Sequence, residues 1–126
     1  MLKNYILIGL GGAIGAIFRV ALSNAVPITI LNVPFSILFI NILGCFLMGV
    51  ISETLALYWS TSLSFKYFLI SGLLGGFTTF SSFALEFGLL IEKNQFYIAF
   101  VYIALSVILS LLFFFAGIKL IKLFNY

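Results

Sequence analysis

Four long apolar stretches, separated by short polar links, dominate the pattern of the chain. A helix needs about 20 residues to cross the hydrocarbon core of a bilayer, which is ~30 Å thick. The stretches meet this length and run from about Tyr5 to Leu22, Pro34 to Leu55, Phe65 to Ile91 and Phe96 to Leu120. Pro34 suits the first turn of the second helix, and Asn32 is a candidate cap. The short links predict antiparallel neighbours, with both termini on one side.

The composition strengthens this interpretation. The chain has 126 residues, of which 64% are hydrophobic and 7% charged, whereas a soluble domain carries about 25% charged residues. The length predicts a single transmembrane domain, 1–126. The net charge of +3 is dispersed, without a basic run, which argues against nucleic acid. One cysteine and no histidine disfavour a disulfide or a metal cluster, and no nucleophile–base pair indicates an enzyme.

The charges at the ends of the stretches bear on topology. Lys3 precedes the first apolar stretch as in a signal peptide, but Arg19 at its far end favours a retained span. Four basic residues lie on the predicted side of the termini and two on the other. The positive-inside rule therefore predicts cytoplasmic termini. The bias is small enough to permit insertion in both orientations.

Small residues recur at spacings that bring helices close together. Gly11 and Gly15 form a GxxxG pair in the first stretch, and Gly44 and Gly49 thin the second. Such residues let helix backbones approach each other in lipid. We therefore predict that these glycines lie at packing faces.

The third stretch carries an unusual polar segment, Gly75-Gly76-Phe77-Thr78-Thr79-Phe80-Ser81-Ser82-Phe83. Glycine, threonine and serine are poor helix formers. One interpretation is a break at mid-membrane, where freed carbonyl oxygens suit a small cation such as Na⁺. The other is a continuous helix whose hydroxyls bond to their own carbonyls. The composition alone leaves both open.

Further candidates are a pair of rings and an amide. Phe80 and Phe83, at i and i+3, share a helix face, and the positive edge of such a ring can stabilise an anion. They are also two of sixteen phenylalanines, most of which fill space. Asn41 lies alone amid apolar residues and offers two amide donors, either to an ion or to a neighbouring helix.

The fourth stretch repeats hydroxyl groups every four residues. Tyr102, Ser106 and Ser110 form a ladder down one helix face. All these groups are neutral donors or ring edges, and carboxylates are nearly absent at mid-depth. This lining favours an anion over a cation but does not name the ion. Arg19 and Glu86 are further candidates near pathway mouths, or are simply charges at span ends.

The sequence resembles the Fluc fluoride channels, also called the CrcB family. The segments quoted above occur along the chain in the same order as in that family. The resemblance rests on the sequence 75–83, Asn41-Ile42-Leu43-Gly44, the fourth-stretch hydroxyls and a glycine-rich first motif that ends at Arg19, and it covers essentially the whole chain. It implies an all-α membrane protein of four helices per chain, the third broken at mid-membrane, in an antiparallel, dual-topology homodimer in the cell inner membrane.

The resemblance also implies roles for individual residues. Fluoride would pass along Asn41, the ring edges of Phe80 and Phe83, and the hydroxyls of Tyr102, Ser106 and Ser110. A structural Na⁺ at the dimer axis would be held by the backbone carbonyls of Gly75 and Thr78. The family usually has a Gly-Thr pair where this chain has Ser36-Ile37. Ile37 cannot offer a hydroxyl, and Ser36 is the alternative donor.

These observations predict a fluoride-selective channel that exports the ion passively. The alternative is a small four-helix multidrug or cation exporter, also of dual topology. That chemistry needs a carboxylate in the first span, and none is present. A non-transporting assembly subunit is a third interpretation, in which the polar ladder would only join helices.

Overall fold

The computed structural model describes residues 1–27, 29–30, 33–58 and 62–125. Four helical segments in it are long and apolar enough to cross a membrane: Leu2–Ala25, Ser36–Leu57, Leu63–Glu92 and Phe96–Phe124. The prediction of four spans is confirmed, and the chain is a multi-pass membrane protein. All four spans extend beyond their predicted C-terminal ends, and the second begins two residues later than predicted, at Ser36.

The first link contains a short β-ladder. Helix α1 (Leu2–Ala25) ends ahead of Pro27, and the Val26 N–H donates to the Leu22 carbonyl. Strands β1 (Thr29–Ile30) and β2 (Val33–Pro34) then pair in antiparallel fashion, and helix α2 (Ser36–Leu57) follows. The prediction that Pro34 begins the second helix is wrong, because Pro34 is in the ladder, opposite Thr29. The candidate cap Asn32 lies outside the described residues.

The third span consists of several helical pieces. Helix α3 (Leu63–Lys66) leads into a π-helix (Tyr67–Leu74) and a short turn, α4 (Gly75–Phe77). After Thr78 and Thr79 the chain resumes as helix α5 (Phe80–Glu92). We call residues 63–77 the upstream half of this span. A π-helix bonds i to i+5, so its turns are wider than those of an α-helix.

The upstream half runs parallel to α1, and glycines allow the contact. A side chain added at Gly11 would meet the Phe68 carbonyl, and one added at Gly15 would collide with the Leu73 carbonyl. The order of these contacts along both segments shows the parallel direction. Such a close approach of backbones requires residues without a Cβ.

Helix α2 runs parallel to the last helix, α6 (Phe96–Phe124), through a second glycine contact. A side chain added at Gly49 would collide with the Phe114 carbonyl, and one added at Gly117 with the Phe46 carbonyl. The prediction that the glycines of the first and second spans lie at packing faces is thereby confirmed. The fold consists of two parallel helix pairs, with α5 packed against the second pair.

A tight turn and a small buried cluster hold α5 in place. Asn94 has a φ of 58°, its N–H donates to the Ile91 carbonyl, and the next N–H donates to the Leu90 carbonyl. These two bonds form the Schellman motif that ends many helices. Leu90 packs with Leu38, Ala99 and Tyr102 in the buried cluster. Thus α5 folds back along α6 and reaches α2.

Candidate functional site

The third span is interrupted at Thr78 and Thr79. Both residues have extended backbones, with φ −82°, ψ 153° at Thr78 and φ −152°, ψ 127° at Thr79. The predicted break is confirmed, so the alternative of an unbroken helix is wrong, although the Thr78 hydroxyl does donate back to the Leu74 carbonyl at 3.0 Å as that alternative expected. Since lipid offers no hydrogen bonds, the backbone groups freed here need partners within the protein.

Asn41 supplies the partners for one of the two residues. Its Oδ1 accepts from the Thr79 N–H at 2.9 Å, and its Nδ2 donates to the Thr79 carbonyl at 2.9 Å. The side-chain amide thus bonds to both backbone polar groups of one residue, as a residue of a neighbouring strand does in an antiparallel ladder. Of the two interpretations of Asn41, the contact between helices is present. One N–H of the amide is not used in this pairing.

The same contacts divert donors from two carbonyls. In a continuous α-helix the Thr79 N–H would donate to Gly75, and the Ser82 N–H would donate to Thr78. Instead, the first donates to Asn41, and the second donates to the Thr79 hydroxyl at 3.2 Å. The carbonyls that lose these α-helical donors are those of Gly75 and Thr78, the two predicted cation ligands.

Thr79 also caps the start of α5. Its hydroxyl accepts from the Ser82 N–H and lies 3.1 Å from the Ser81 hydroxyl. A capped helix start carries a partial positive charge and attracts anions. Thr79 was not among the predicted site residues. The signal was available, because threonine ahead of an apolar helical run is a typical N-cap.

A groove of about 490 Å³ opens beside the break, between α2, α5 and α6. None of the described residues that line the groove has a charged side chain. Seven of the predicted site residues meet in this groove: Asn41, Gly75, Thr78, Phe80, Phe83, Ser106 and Ser110. The fold therefore brings together residues from three separate spans.

The two phenylalanine rings have different surroundings. The Phe80 side chain is 78% exposed in the single subunit. Phe83 stacks on Tyr102, with ring centroids 5.4 Å apart and planes at 15°, while Phe80 is tilted by 46° against Phe83 at 5.3 Å. Since Tyr102 covers one face of Phe83, the ring meets the groove with its edge or its other face.

The hydroxyl ladder of α6 is divided between groove and interior. Ser106 and Ser110 line the groove, whereas Tyr102 is 1% exposed and lies behind Phe83. The Tyr102 hydroxyl and the buried Ser106 hydroxyl have no hydrogen-bond partner among the described residues. Ser110 lies beside the Cys45 thiol. Buried hydroxyls without a partner are costly, and of these two only Ser106 lines the groove.

Three other candidates lie apart from the groove. Ser36 donates its hydroxyl to the Val26 carbonyl at 3.0 Å, so the alternative that it replaces the missing hydroxyl at position 37 is wrong. Glu86 is half-buried and does not line the groove. Arg19 is half-buried, and its Nε has no hydrogen-bond partner in the described part of the chain.

Four membrane-spanning helices, one of them interrupted beside an uncharged polar groove, define a multi-pass membrane protein with a site inside the bilayer. Residues 6–118 match the family described as CrcB-like protein, Camphor Resistance (CrcB). The chain belongs to this family.

Similar proteins cover nearly the whole chain. A protein of Agrobacterium fabrum named fluoride-specific ion channel FluC is 38% identical over 118 residues, 93% of this chain and 94% of that protein. The protein of the same name in Rhizobium meliloti is 37% identical over 126 residues, 96% and 98% of the two chains. That of Francisella tularensis subsp. mediasiatica is 38% identical over 111 residues, 85% of each.

The pairing of Asn41 with Thr79 predicts a loss of stability on substitution. Asn41→Leu leaves a backbone N–H and a carbonyl unsatisfied in the membrane, at a cost of about 1–3 kcal/mol for each group. The free energy of unfolding is measured by circular dichroism in detergent micelles titrated with sodium dodecyl sulfate. Asn125→Leu is the matched control, because Asn125 also donates to a backbone carbonyl but is exposed. Equal losses in the two variants would contradict the prediction.

Proposed function

We propose that this protein is a fluoride-specific ion channel of the cell inner membrane that lets fluoride leave the cell passively. The observation that carries the proposal is the uncharged groove within the bilayer, whose polar groups include hydrogen-bond donors from α2 and α6. The names of the relatives support fluoride as the transported ion, and membership of the family supports a channel rather than an enzyme.

The donors suit a small anion because they replace its water. Ser106 has a buried hydroxyl with no partner among the described residues, the pairing with Thr79 leaves one N–H of Asn41 unused, and the start of α5 carries partial positive charge. Fluoride accepts strong hydrogen bonds and holds its water tightly, so it gains more from such donors than chloride does. The groove also lacks the carboxylates that a cation path normally carries.

Four residues complete the proposed pathway. Phe80 and Phe83 present ring edges to the ion, since the edge of an aromatic ring is its positive part. Ser110 continues the hydroxyl track beyond Ser106. Tyr102 acts from behind Phe83, where its ring fixes the orientation of the phenylalanine and its hydroxyl has no partner among the described residues.

A structural Na⁺ is part of the proposal. The carbonyls of Gly75 and Thr78 lose their α-helical donors because of the bonds to Asn41 and Thr79. Carbonyl oxygens are hard ligands that suit such an ion where a membrane helix is unwound. When bound, Na⁺ would supply a fixed positive charge near the break, and its position on a dimer axis would join two subunits.

A second copy of the chain is the proposed partner, in antiparallel orientation. Phe80 is exposed, and the groove beside it is open along one side in the single subunit. A path through lipid must be closed on all sides by protein. The small difference in basic residues between the two ends of the helices is consistent with insertion in both orientations.

Ion flux from liposomes tests the proposed function. Purified protein reconstituted into liposomes loaded with fluoride should release that ion rapidly, and the same protein in chloride-loaded liposomes should release hardly any. An ion-selective electrode measures both, with protein-free liposomes as the control. Release of both ions, or of neither, would overturn the proposal, whereas export of an organic cation would favour a multidrug exporter.

Replacing the exposed ring in the groove tests the aromatic contacts. Phe80→Ile should lower fluoride flux at least about a hundredfold, because an aliphatic side chain has no positive edge. Phe124→Ile is the matched control, since Phe124 is 80% exposed but lies at the end of α6, outside the groove. The dimer should persist in both variants. Undiminished flux in Phe80→Ile would remove this ring from the pathway.

Sodium dependence of the dimer tests the proposed carbonyl site without any flux measurement. Replacing Na⁺ with an organic cation at constant ionic strength should raise the dimer dissociation constant at least about tenfold, which corresponds to ~1.4 kcal/mol. Light scattering in detergent across a concentration series measures the two states. An unchanged dissociation constant would reject the Na⁺ site and leave the channel function standing.

A further inference from the structure

Cys45 lies on the wall of the groove, although the proposed pathway assigns it no role. It follows Asn41 by one helical turn on α2, so the two side chains point to the same side of the helix. It lines the groove together with Ser106 and lies beside Ser110. Cys45 is half-buried and is the only cysteine of the chain.

The backbone of α2 is fixed at this point. A side chain added at Gly44 would overlap the Thr78 side chain, so α2 is pressed against the break. Cys45, the next residue, cannot move away from the groove without losing this contact. The thiol is therefore held in position by the same packing that supports the interruption.

An independent observation indicates that this part of the groove holds a ligand. Ser106 is 6% exposed, and its hydroxyl has no hydrogen-bond partner among the described residues. It lines the same groove as Cys45. A buried hydroxyl of this kind needs a partner that accepts or donates a hydrogen bond, such as an anion or a water molecule in transit.

We propose that Cys45 is a wall residue of the anion path and a modification site at which small thiol-reactive electrophiles block flux. This inference rests on the proposed channel function. The thiol is a weak hydrogen-bond donor and leaves room for an ion, but a group attached to its sulfur would occupy the space in front of Ser106 and Ser110. Reaction of an electrophile with this one sulfur atom would therefore block the pathway.

An alkyl thiosulfonate is the suitable probe, because its reaction is selective and reversible. The Cys45 sulfur, as thiolate, forms a disulfide bond with the sulfenyl sulfur of methyl methanethiosulfonate. The bond between the two sulfurs of the reagent breaks, and methanesulfinate leaves with the bonding electrons. The thiol proton goes to the buffer. Dithiothreitol reverses the modification by thiol–disulfide exchange.

The experiment compares fluoride flux before and after treatment in the reconstituted protein. Flux through the unsubstituted chain should fall at least about tenfold on labelling and recover with dithiothreitol, because the attached group obstructs a path that fits a bare ion. Mass spectrometry measures the extent of labelling. An unsubstituted chain that conducts no fluoride before treatment would instead refute the channel function itself.

Two variants control for the position of the thiol, each compared with its own untreated rate. Cys45→Ser has no thiol and should be insensitive to the reagent. Cys45→Ser combined with Asn125→Cys moves the thiol to the exposed end of the chain, where labelling should leave flux unaffected. Labelling of Cys45 without loss of flux would overturn the inference. The inference would also be overturned if Cys45 stays unlabelled under conditions in which the Asn125→Cys variant is labelled completely.

Discussion

The pairing of the Asn41 amide with the backbone N–H and carbonyl of Thr79 is the interaction on which the site depends. A backbone N–H or carbonyl exposed to hydrocarbon is costly, so a membrane helix is rarely interrupted unless other protein groups satisfy the ends. Here one side chain satisfies both groups of one residue, at 2.9 Å each. The interruption is thus a stable part of the fold and not a local loss of structure.

The same pairing strengthens the contact between the two helix pairs of the molecule. Glycine contacts join α1 to the upstream half of the third span, and other glycine contacts join α2 to α6. Asn41 on α2 bonds across to Thr79, at the end of that upstream half. Gly44 of α2 also packs closely against Thr78, and the two short hydrogen bonds add a directional contact in the same register. The groove forms where this register brings the break next to α6.

Much of this arrangement could be predicted from the sequence, because lipid imposes strong local rules. Apolar length predicts the spans and small residues predict the packing faces, whereas composition leaves the break at Gly75 to Thr79 open and the family resemblance implies it. The sequence could not show whether Asn41 pairs with Thr79 or contacts an ion. The two residues are 38 positions apart, and no local periodicity relates them. The division of the hydroxyl ladder also depends on tertiary contact, because Tyr102 is covered by a ring from another helix.

Errors at the span ends have a similar cause. Pro34 fits a first helical turn by its fixed φ, but its pairing opposite Thr29 places it in a strand. Ser36 is a plausible pathway donor by spacing, but its hydroxyl bonds to Val26 at the end of α1. At both positions the local structure is determined by a contact with a segment several residues earlier in the chain.

The π-helix of Tyr67–Leu74 makes the site sensitive to chain length far from the groove. A π-turn accommodates one residue more than an α-turn between the same ends, and each residue of an α-helix adds a rotation of about 100°. Removing a residue from this segment could be absorbed by a return to α-helix, with the face of Gly75 unchanged. Adding one could not be absorbed in that way and would turn the carbonyls away from their present direction. Natural variation in length should therefore be asymmetric here, with deletions tolerated and insertions rare.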